Sequence, residues 1–153
     1  MREPLYALRF RYVKPAKTLI KTEQKLAEIF LYTPGSPRSN RKNGKLKSSL
    51  ALNARVPVNI FRRFLIETGW EEKNGLLLTS REEPYYRAVV LAAILQCTRD
   101  RYLMEEMCRV VRDMPYVDLK FWSRVFIQAF ENRNWRRDLY KPVRALKKVY
   151  EYV

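Results

Sequence analysis

The sequence PYYRAVVLAAILQCT, which runs from Pro84 to Thr98, would be apolar on almost every side of a helix. A helix that is apolar all round is typical of a buried core helix. Its unbroken apolar run, Ala88–Leu95, is well short of the about 20 residues that a membrane-spanning helix needs. We therefore expect a buried central helix against which the neighbouring segments pack.

Three amphipathic helices are predicted after this one. Their expected ranges are 100–113, with Asp100 as the N-terminal cap, 118–132, and 141–150. On the helix 118–132, Phe121, Trp122 and Phe126 are expected to face the core. The connections between these helices are short, which favours antiparallel neighbours in a bundle.

The N-terminal half gives more varied patterns. Residues 6–13 alternate partly and are aromatic, which indicates a short strand or an extended arm. Residues 15–32 carry apolar side chains that fit a helix. A second helix is expected to pass through Ile60–Leu65 and to stop at Gly69. Asn74-Gly75 predicts a hairpin within residues 70–80, because this dipeptide favours a type I′ turn.

Together these patterns predict a mainly α fold. It is a helical bundle of about five to six helices, with an N-terminal extended arm or strand and a small hairpin near residues 70–80. We expect a single helical domain over residues 1–153. Residues 33–47 combine proline, glycine and basic residues without a packing pattern, which predicts a flexible basic loop.

The composition argues against catalysis. The chain has no histidine and four glycines, which excludes histidine-centred triads and leaves no P-loop. Cys97 and Cys108 cannot complete a four-ligand zinc site within one chain, so both are expected to pack in the core. The acidic residues fall in adjacent pairs that do not converge on one point of a helix. We therefore predict no catalytic residue, no metal and no cofactor, and expect that the protein is not an enzyme.

The location follows from similar observations. Two cysteines do not make the disulfide framework of a secreted protein. Met1–Pro4 lacks the apolar core of a signal peptide. We expect a cytoplasmic protein without a membrane partner.

The charge is strongly positive and unevenly distributed. Lysine and arginine total 31 against 16 acidic residues, a formal net charge of +15. Residues 29–66 contain eight basic and no acidic side chains, and residues 133–148 contain seven basic and one acidic, whereas residues 67–132 are nearly neutral. A field of one sign costs self-repulsion unless a polyanion relieves it. Nucleic acid, RNA or DNA, is therefore the expected partner.

The candidate binding residues lie in the basic loop, on the helix before Gly69 and in the last basic block. They are Arg38, Arg41, Lys42, Lys45, Lys47, Arg62, Arg63, Arg133, Trp135, Arg136, Arg137, Lys141, Arg144, Lys147 and Lys148. Trp135 has two interpretations: a hinge residue that plugs the bundle end, or an aromatic on which a base stacks.

The small size, the helicity and the basic surfaces support a family-level comparison. Together with the core helix Ala88–Gln96 and the basic helix Leu139–Tyr150, they resemble the small all-helical subunits of multi-subunit CRISPR effector complexes. Those subunits line the belly of the complex and support the guide–target duplex or the displaced strand. The resemblance implies a non-catalytic, sequence-independent subunit of an antiviral ribonucleoprotein complex, with protein partners that include further copies of itself. The hairpin and the long N-terminal arm depart from a plain bundle.

Two other functions stay open. Two helical pieces joined by Arg55-Val56-Pro57 and followed by the hairpin would outline a winged helix-turn-helix at residues 48–80, with Arg62 and Arg63 in a DNA groove. Such a protein would be a stand-alone transcriptional regulator. A metal-dependent nuclease is the third hypothesis and would need converging carboxylates.

Overall fold

The structure is a computed structural model that describes residues 6–12, 26–32 and 55–151. The chain divides into two compact units, Met1–Pro84 and Tyr85–Val153. The expectation of one domain stays a prediction. The predicted basic loop at 33–47 lies outside the described residues.

The described residues form five strands and six helices. The first unit contains β1 (Tyr6–Tyr12), β2 (Leu26–Tyr32), β3 (Arg55–Pro57), α1 (Val58–Glu67), β4 (Glu71–Lys73), β5 (Leu76–Thr79) and the start of α2 (Glu82–Gln96). The second unit contains the rest of α2, then α3 (Arg101–Asp113), α4 (Tyr116–Glu131), the one-turn α5 (Trp135–Asp138) and α6 (Tyr140–Glu151). Most of the described residues are helical, as predicted, but the five strands make the fold mixed α/β, so the prediction of a helical bundle as the whole fold is wrong.

The strands of the first unit form one antiparallel sheet in the order β3-β2-β1-β5-β4. Leu8 pairs with Leu31 on one side and with Leu77 on the other, and all three side chains are buried. On the same face the ring of Phe10 meets the ring of Phe61 of α1 edge to face, with 6.1 Å between centroids. One face of the sheet thus packs against α1. Antiparallel sheets commonly bury one face in this way.

The predicted helix over residues 15–32 is wrong in its C-terminal part, because Leu26–Tyr32 is the strand β2. Ala27, Ile29 and Leu31 are buried, whereas Phe30 and Tyr32 are half-buried. That alternation has the period of two residues expected of a strand. A short apolar run can fit the period of a helix as well as that of a strand. Here the segment is a strand because it pairs with β1 over six residues. Residues 15–25 lie outside the described part of the chain.

Two local predictions in this unit are confirmed. Asn74 (φ 53°) and Gly75 (φ 77°) link β4 to β5, and both positive φ values are those that a type I′ turn requires. Residues 6–12 form a strand, as one of the two expected states.

The structure does not contain the turn that the helix-turn-helix hypothesis requires at residues 55–57. Arg55–Pro57, expected to connect two helices, is the strand β3 and pairs with β2. The predicted helical piece at residues 48–54 lies outside the described residues. α1 therefore follows directly on a sheet strand, which is not the geometry of a recognition helix preceded by a tight turn.

The second unit largely agrees with the helices expected there. Ala88–Leu95 of α2 is buried throughout, as predicted. The Asp100 carboxylate accepts a hydrogen bond from the Tyr102 backbone N–H at 2.9 Å, which confirms its capping role on α3. α4 begins at Tyr116 rather than at residue 118, and Asp118 lies in its first turn. No helix in the described ranges is both long and apolar enough to cross a membrane.

Candidate nucleic-acid interface

The last basic block places four cations along one stripe. Arg137 of α5 and Lys141, Arg144 and Lys148 of α6 are all exposed. The spacing of three and four residues brings Lys141, Arg144 and Lys148 onto one side of α6, and Arg137 precedes them in α5. From Lys141 to Lys148 the stripe covers about 10 Å of helix, in which one nucleic-acid strand places about three phosphates. We call these four residues the α6 stripe.

Asp138 is the acidic residue within this block. It is half-buried, and its Oδ1 lies 3.9 Å from Arg137 Nε. Asn132 Nδ2 donates to its other carboxylate oxygen at 3.5 Å. Lys141, Arg144 and Lys148 follow one another without an intervening acid, and the acidic residue of α6 is Glu151 at its C-terminal end.

Lys147 has a different role from the α6 stripe. It is half-buried, and its Nζ donates to Thr98 Oγ1 at 2.9 Å. It also lies near the Cys97 thiol, where burial raises the pKa to about 11 and the Lys147 charge opposes that rise. Lys147 therefore ties α6 to the end of α2 rather than facing a ligand.

The turn before α6 forms an open depression of about 250 Å³. Its lining residues are Arg133, Asn134, Trp135, Arg136 and Arg137. The arginines are exposed and Trp135 is half-buried. The Trp135 ring lies 5.4 Å from the ring of Phe130, and the Arg136 guanidinium lies 4.8 Å from the Trp135 ring centroid. The contact with Phe130 fits a plug at the end of α4, and the cluster of arginines fits a stacking site, so both interpretations of Trp135 stay open.

The two arginines of α1 have different environments. Arg62 pairs with Glu72 of the hairpin, whereas Arg63 is exposed. The ion pair with Glu72 engages part of the Arg62 guanidinium and offsets its charge. Arg38, Arg41, Lys42, Lys45 and Lys47 lie outside the described residues.

The sheet also has an aromatic and basic face that the sequence-based predictions do not include. Arg9 and Arg11 of β1 are exposed, and Phe30 and Tyr32 of β2 are half-buried. They lie on the face opposite the one that packs against α1, because Leu8 and Phe10 alternate with them. Arg9 and Arg11 are two residues apart, and so are Phe30 and Tyr32. In two paired strands this spacing indicates a shared face, but residues 26–32 were predicted to be helical.

A second missed feature is an apolar pair on α4. Phe121 is 60% exposed and Val117 is 72% exposed, beside Lys120 and Arg124 in a shallow depression of about 250 Å³. The prediction that Phe121 faces the core is therefore wrong. The buried side of α4 follows Leu119, Phe126 and Phe130, and residue 121 falls about 200° from residue 119 on a helix of 3.6 residues per turn.

No metal site is found among the residues that the structure describes, because no three His, Cys, Asp or Glu side chains cluster there. Cys97 is half-buried, Cys108 is buried, and neither forms a disulfide. Comparison of the chain with protein-family models, curated proteins and solved structures gave no match.

Proposed function

We propose that this protein is a non-catalytic, sequence-independent nucleic-acid-binding subunit of a ribonucleoprotein complex. The observation that carries the proposal is the α6 stripe beside the arginine-rich turn at Arg133–Arg137. Exposed cations that repeat along one side of a helix match the repeating charge of a phosphate backbone, and they carry no information about base sequence.

The net charge supports the same function. The excess of +15 is far above what solubility needs, since a small domain is soluble with a net charge of about 2 to 8 in magnitude. A partner that is a polyanion would relieve the repulsion. The resemblance to small subunits of CRISPR effector complexes suggests which complex the protein would belong to. It would be a cytoplasmic antiviral complex in which further protein subunits, including copies of this chain, flank the nucleic acid.

The test removes the α6 stripe. Arg137, Lys141, Arg144 and Lys148 are replaced together by glutamine, and binding to labelled RNA and DNA is measured by fluorescence anisotropy over a salt titration. We expect the slope of log Kobs against log salt to fall by about three, because each lost phosphate contact removes about 0.7 to 0.9. The loss should be similar for unrelated sequences.

The matched control removes the same charge elsewhere. Arg81, Arg99, Arg101 and Arg109 are also exposed, and their replacement by glutamine should leave most of the slope intact. If both quadruple variants lose the same amount, binding depends on net charge alone and the α6 stripe is not the contact. A strong sequence preference at physiological salt would instead favour the transcriptional regulator, and Mg²⁺-dependent cleavage would favour the nuclease.

A further inference from the structure

On the sheet face opposite α1, two arginine side chains contact Phe30. Arg9 is the register partner of Phe30 across β1 and β2, and Arg11 is the partner of Glu28. The guanidinium carbons of Arg9 and Arg11 both lie 5.5 Å from the Phe30 ring centroid. Both distances are within the range of a cation–π interaction, so the two guanidinium groups are held over one ring.

The charges on this part of the face are only partly compensated. Arg11 forms an ion pair with Glu28, whereas Arg9 stands opposite an aromatic ring and not an acid. Tyr32 extends the aromatic surface along β2, opposite Ala7. Side chains two residues apart on one strand face are separated by about 6.8 Å.

A purely structural role would also use these pairs, because aromatic and cationic cross-strand neighbours stabilise a sheet modestly. The chemistry points further, however. Arginine planes and aromatic rings are the groups on which nucleobases stack, and arginine also binds phosphate. In a duplex the flat faces of the bases are covered by their neighbours, so only a single strand can offer them to a sheet surface.

We propose that the sheet face formed by Arg9, Arg11, Phe30 and Tyr32 binds single-stranded nucleic acid. One base stacks on the Tyr32 ring, and another stacks on the Phe30 ring when a guanidinium that covers it turns away to contact a phosphate. The spacing of about 6.8 Å along the strand is twice the rise of about 3.4 Å between stacked bases, so neighbouring bases must separate to reach Phe30 and Tyr32. This proposal rests on the proposed function and adds to it the kind of nucleic acid.

The test compares Phe30→Leu with wild type on fluorescent oligothymidylate, oligouridylate and duplex probes of about 15 nucleotides, near the upper limit of common single-strand sites. Loss of one stacked base should weaken single-strand binding about tenfold. The salt slope should stay unchanged because no charge is removed, and duplex binding should stay the same. Arg9→Gln should instead lower the single-strand salt slope by about 0.7.

Two control variants match these changes. Tyr102→Leu removes an aromatic ring that is 74% exposed on α3, and Arg81→Gln removes one exposed charge from the same unit as Arg9. Both should bind single strands with wild-type affinity and slope. Circular dichroism verifies that each variant is folded.

The outcomes separate this proposal from the proposed function. If Phe30→Leu binds single strands as tightly as wild type, or weakens duplex and single-strand binding equally, stacking on this face is wrong while nucleic-acid binding stands. If the variant binds the probes normally but loses proteins that copurify with wild type, the face is a protein-docking surface. If wild type binds no probe at low salt, both proposals fail. Should Phe30→Leu not fold, cross-linking of a 4-thiouridine oligonucleotide to wild type decides: cross-links within β1 and β2 support the proposal, and cross-links found only elsewhere overturn it.

Discussion

Gly69 and Trp70 show how single residues shape the first unit. Gly69 follows the end of α1 at a φ of +117°, and the backbone N–H of Trp70 donates to the Leu65 carbonyl at 3.0 Å, which closes the helix as a glycine stop does. Trp70 is 2% exposed, and its indole N–H donates to the Pro84 carbonyl at 3.1 Å. Together they fix the direction in which the hairpin leaves α1.

Replacement of Gly69 by alanine should lower the free energy of unfolding by about 1–3 kcal/mol, because the φ is unfavourable for an L-residue. A Cβ there would also lie 3.2 Å from Pro84 Cγ. Urea denaturation measures the change. Gly75→Ala is the control, since Gly75 also has a positive φ but no atom within 4 Å of the added Cβ. An equal or larger loss in Gly75→Ala would show that crowding at Pro84 does not matter.

Cys97 should react slowly in the folded protein. Burial raises its pKa to about 11, despite the nearby Lys147 charge, and only the thiolate is nucleophilic. At pH 8 we expect alkylation by iodoacetamide to be about 10- to 100-fold slower in the folded protein than in urea, as followed by peptide mass spectrometry. Equal rates in both conditions would contradict the prediction. Lys147→Met should slow the reaction further, because it removes the charge that lowers this pKa.

Arg87 makes hydrogen bonds to residues that are distant from it in the sequence. Its Nε and Nη2 donate to the carbonyls of Val111 and Met114, at 3.2 and 3.1 Å. A cation at the C-terminal end of α3 satisfies carbonyls that the helix leaves unpaired. Its neighbour Tyr85 is buried. The Arg87 side chain therefore has a structural role within the second unit, where it links α2 to the C-terminal end of α3.

At the scale of elements, α6 is held by polar contacts on one side and presents cations on the other. The Tyr150 hydroxyl donates to an Asp118 carboxylate oxygen of α4 at 2.8 Å, and Lys147 donates to Thr98. Val143 and Leu146 supply the buried apolar side. The α6 stripe can therefore be exposed without loss of the packing that positions the helix.

The contact between Tyr150 and Asp118 predicts a dependence of stability on alkaline pH. Burial, the hydrogen bond and the charge of Asp118 raise the pKa of Tyr150 from 10 to about 12. The folded state then holds this proton at pH values where the unfolded state has lost it. The stabilisation is complete below pH 10 and is lost as the pH rises towards 12.

Tyr150→Phe tests this link. Below pH 10 the variant should be less stable than wild type by about 1 kcal/mol, the usual contribution of one hydrogen bond. The difference should narrow as the pH approaches 12, as measured by urea denaturation over that range. Tyr140→Phe, at an exposed tyrosine of the same helix, should show no such change. A constant difference between Tyr150→Phe and wild type would contradict the assignment.

At the scale of the whole molecule, the net charge of +15 acts on stability as well as on binding. Like charges repel in the compact state, and salt screens them over a Debye length that falls from about 30 Å at 0.01 M to about 10 Å at 0.1 M. We therefore expect Tm to rise over this salt range when measured without nucleic acid. The quadruple glutamine variant of the α6 stripe should show a smaller rise. A Tm that falls with salt would indicate that attractive surface ion pairs outweigh the repulsion.

Parts of this molecule were predictable because they depend on neighbours in the sequence. The burial of α2, the Asp100 cap, the Asn74-Gly75 turn and the spacing of the α6 stripe all follow from local periodicity or turn chemistry. Local patterns of this kind are sufficient where packing between distant segments does not override them. They also carried the proposal that the last helix binds a polyanion.

The sheet and the composition of its face opposite α1 were decided only by tertiary structure. Residues 26–32 satisfy the pattern of a helix or a strand, and pairing with β1 selects the strand. The meeting of Arg9 with Phe30, and of Lys147 with Thr98 across 49 residues, has no counterpart in any spacing along the chain. The amino-acid sequence by itself determined the local elements and the distribution of charge. The tertiary structure decided which residues share a surface, because such contacts depend on pairing and packing between segments that are distant in the chain.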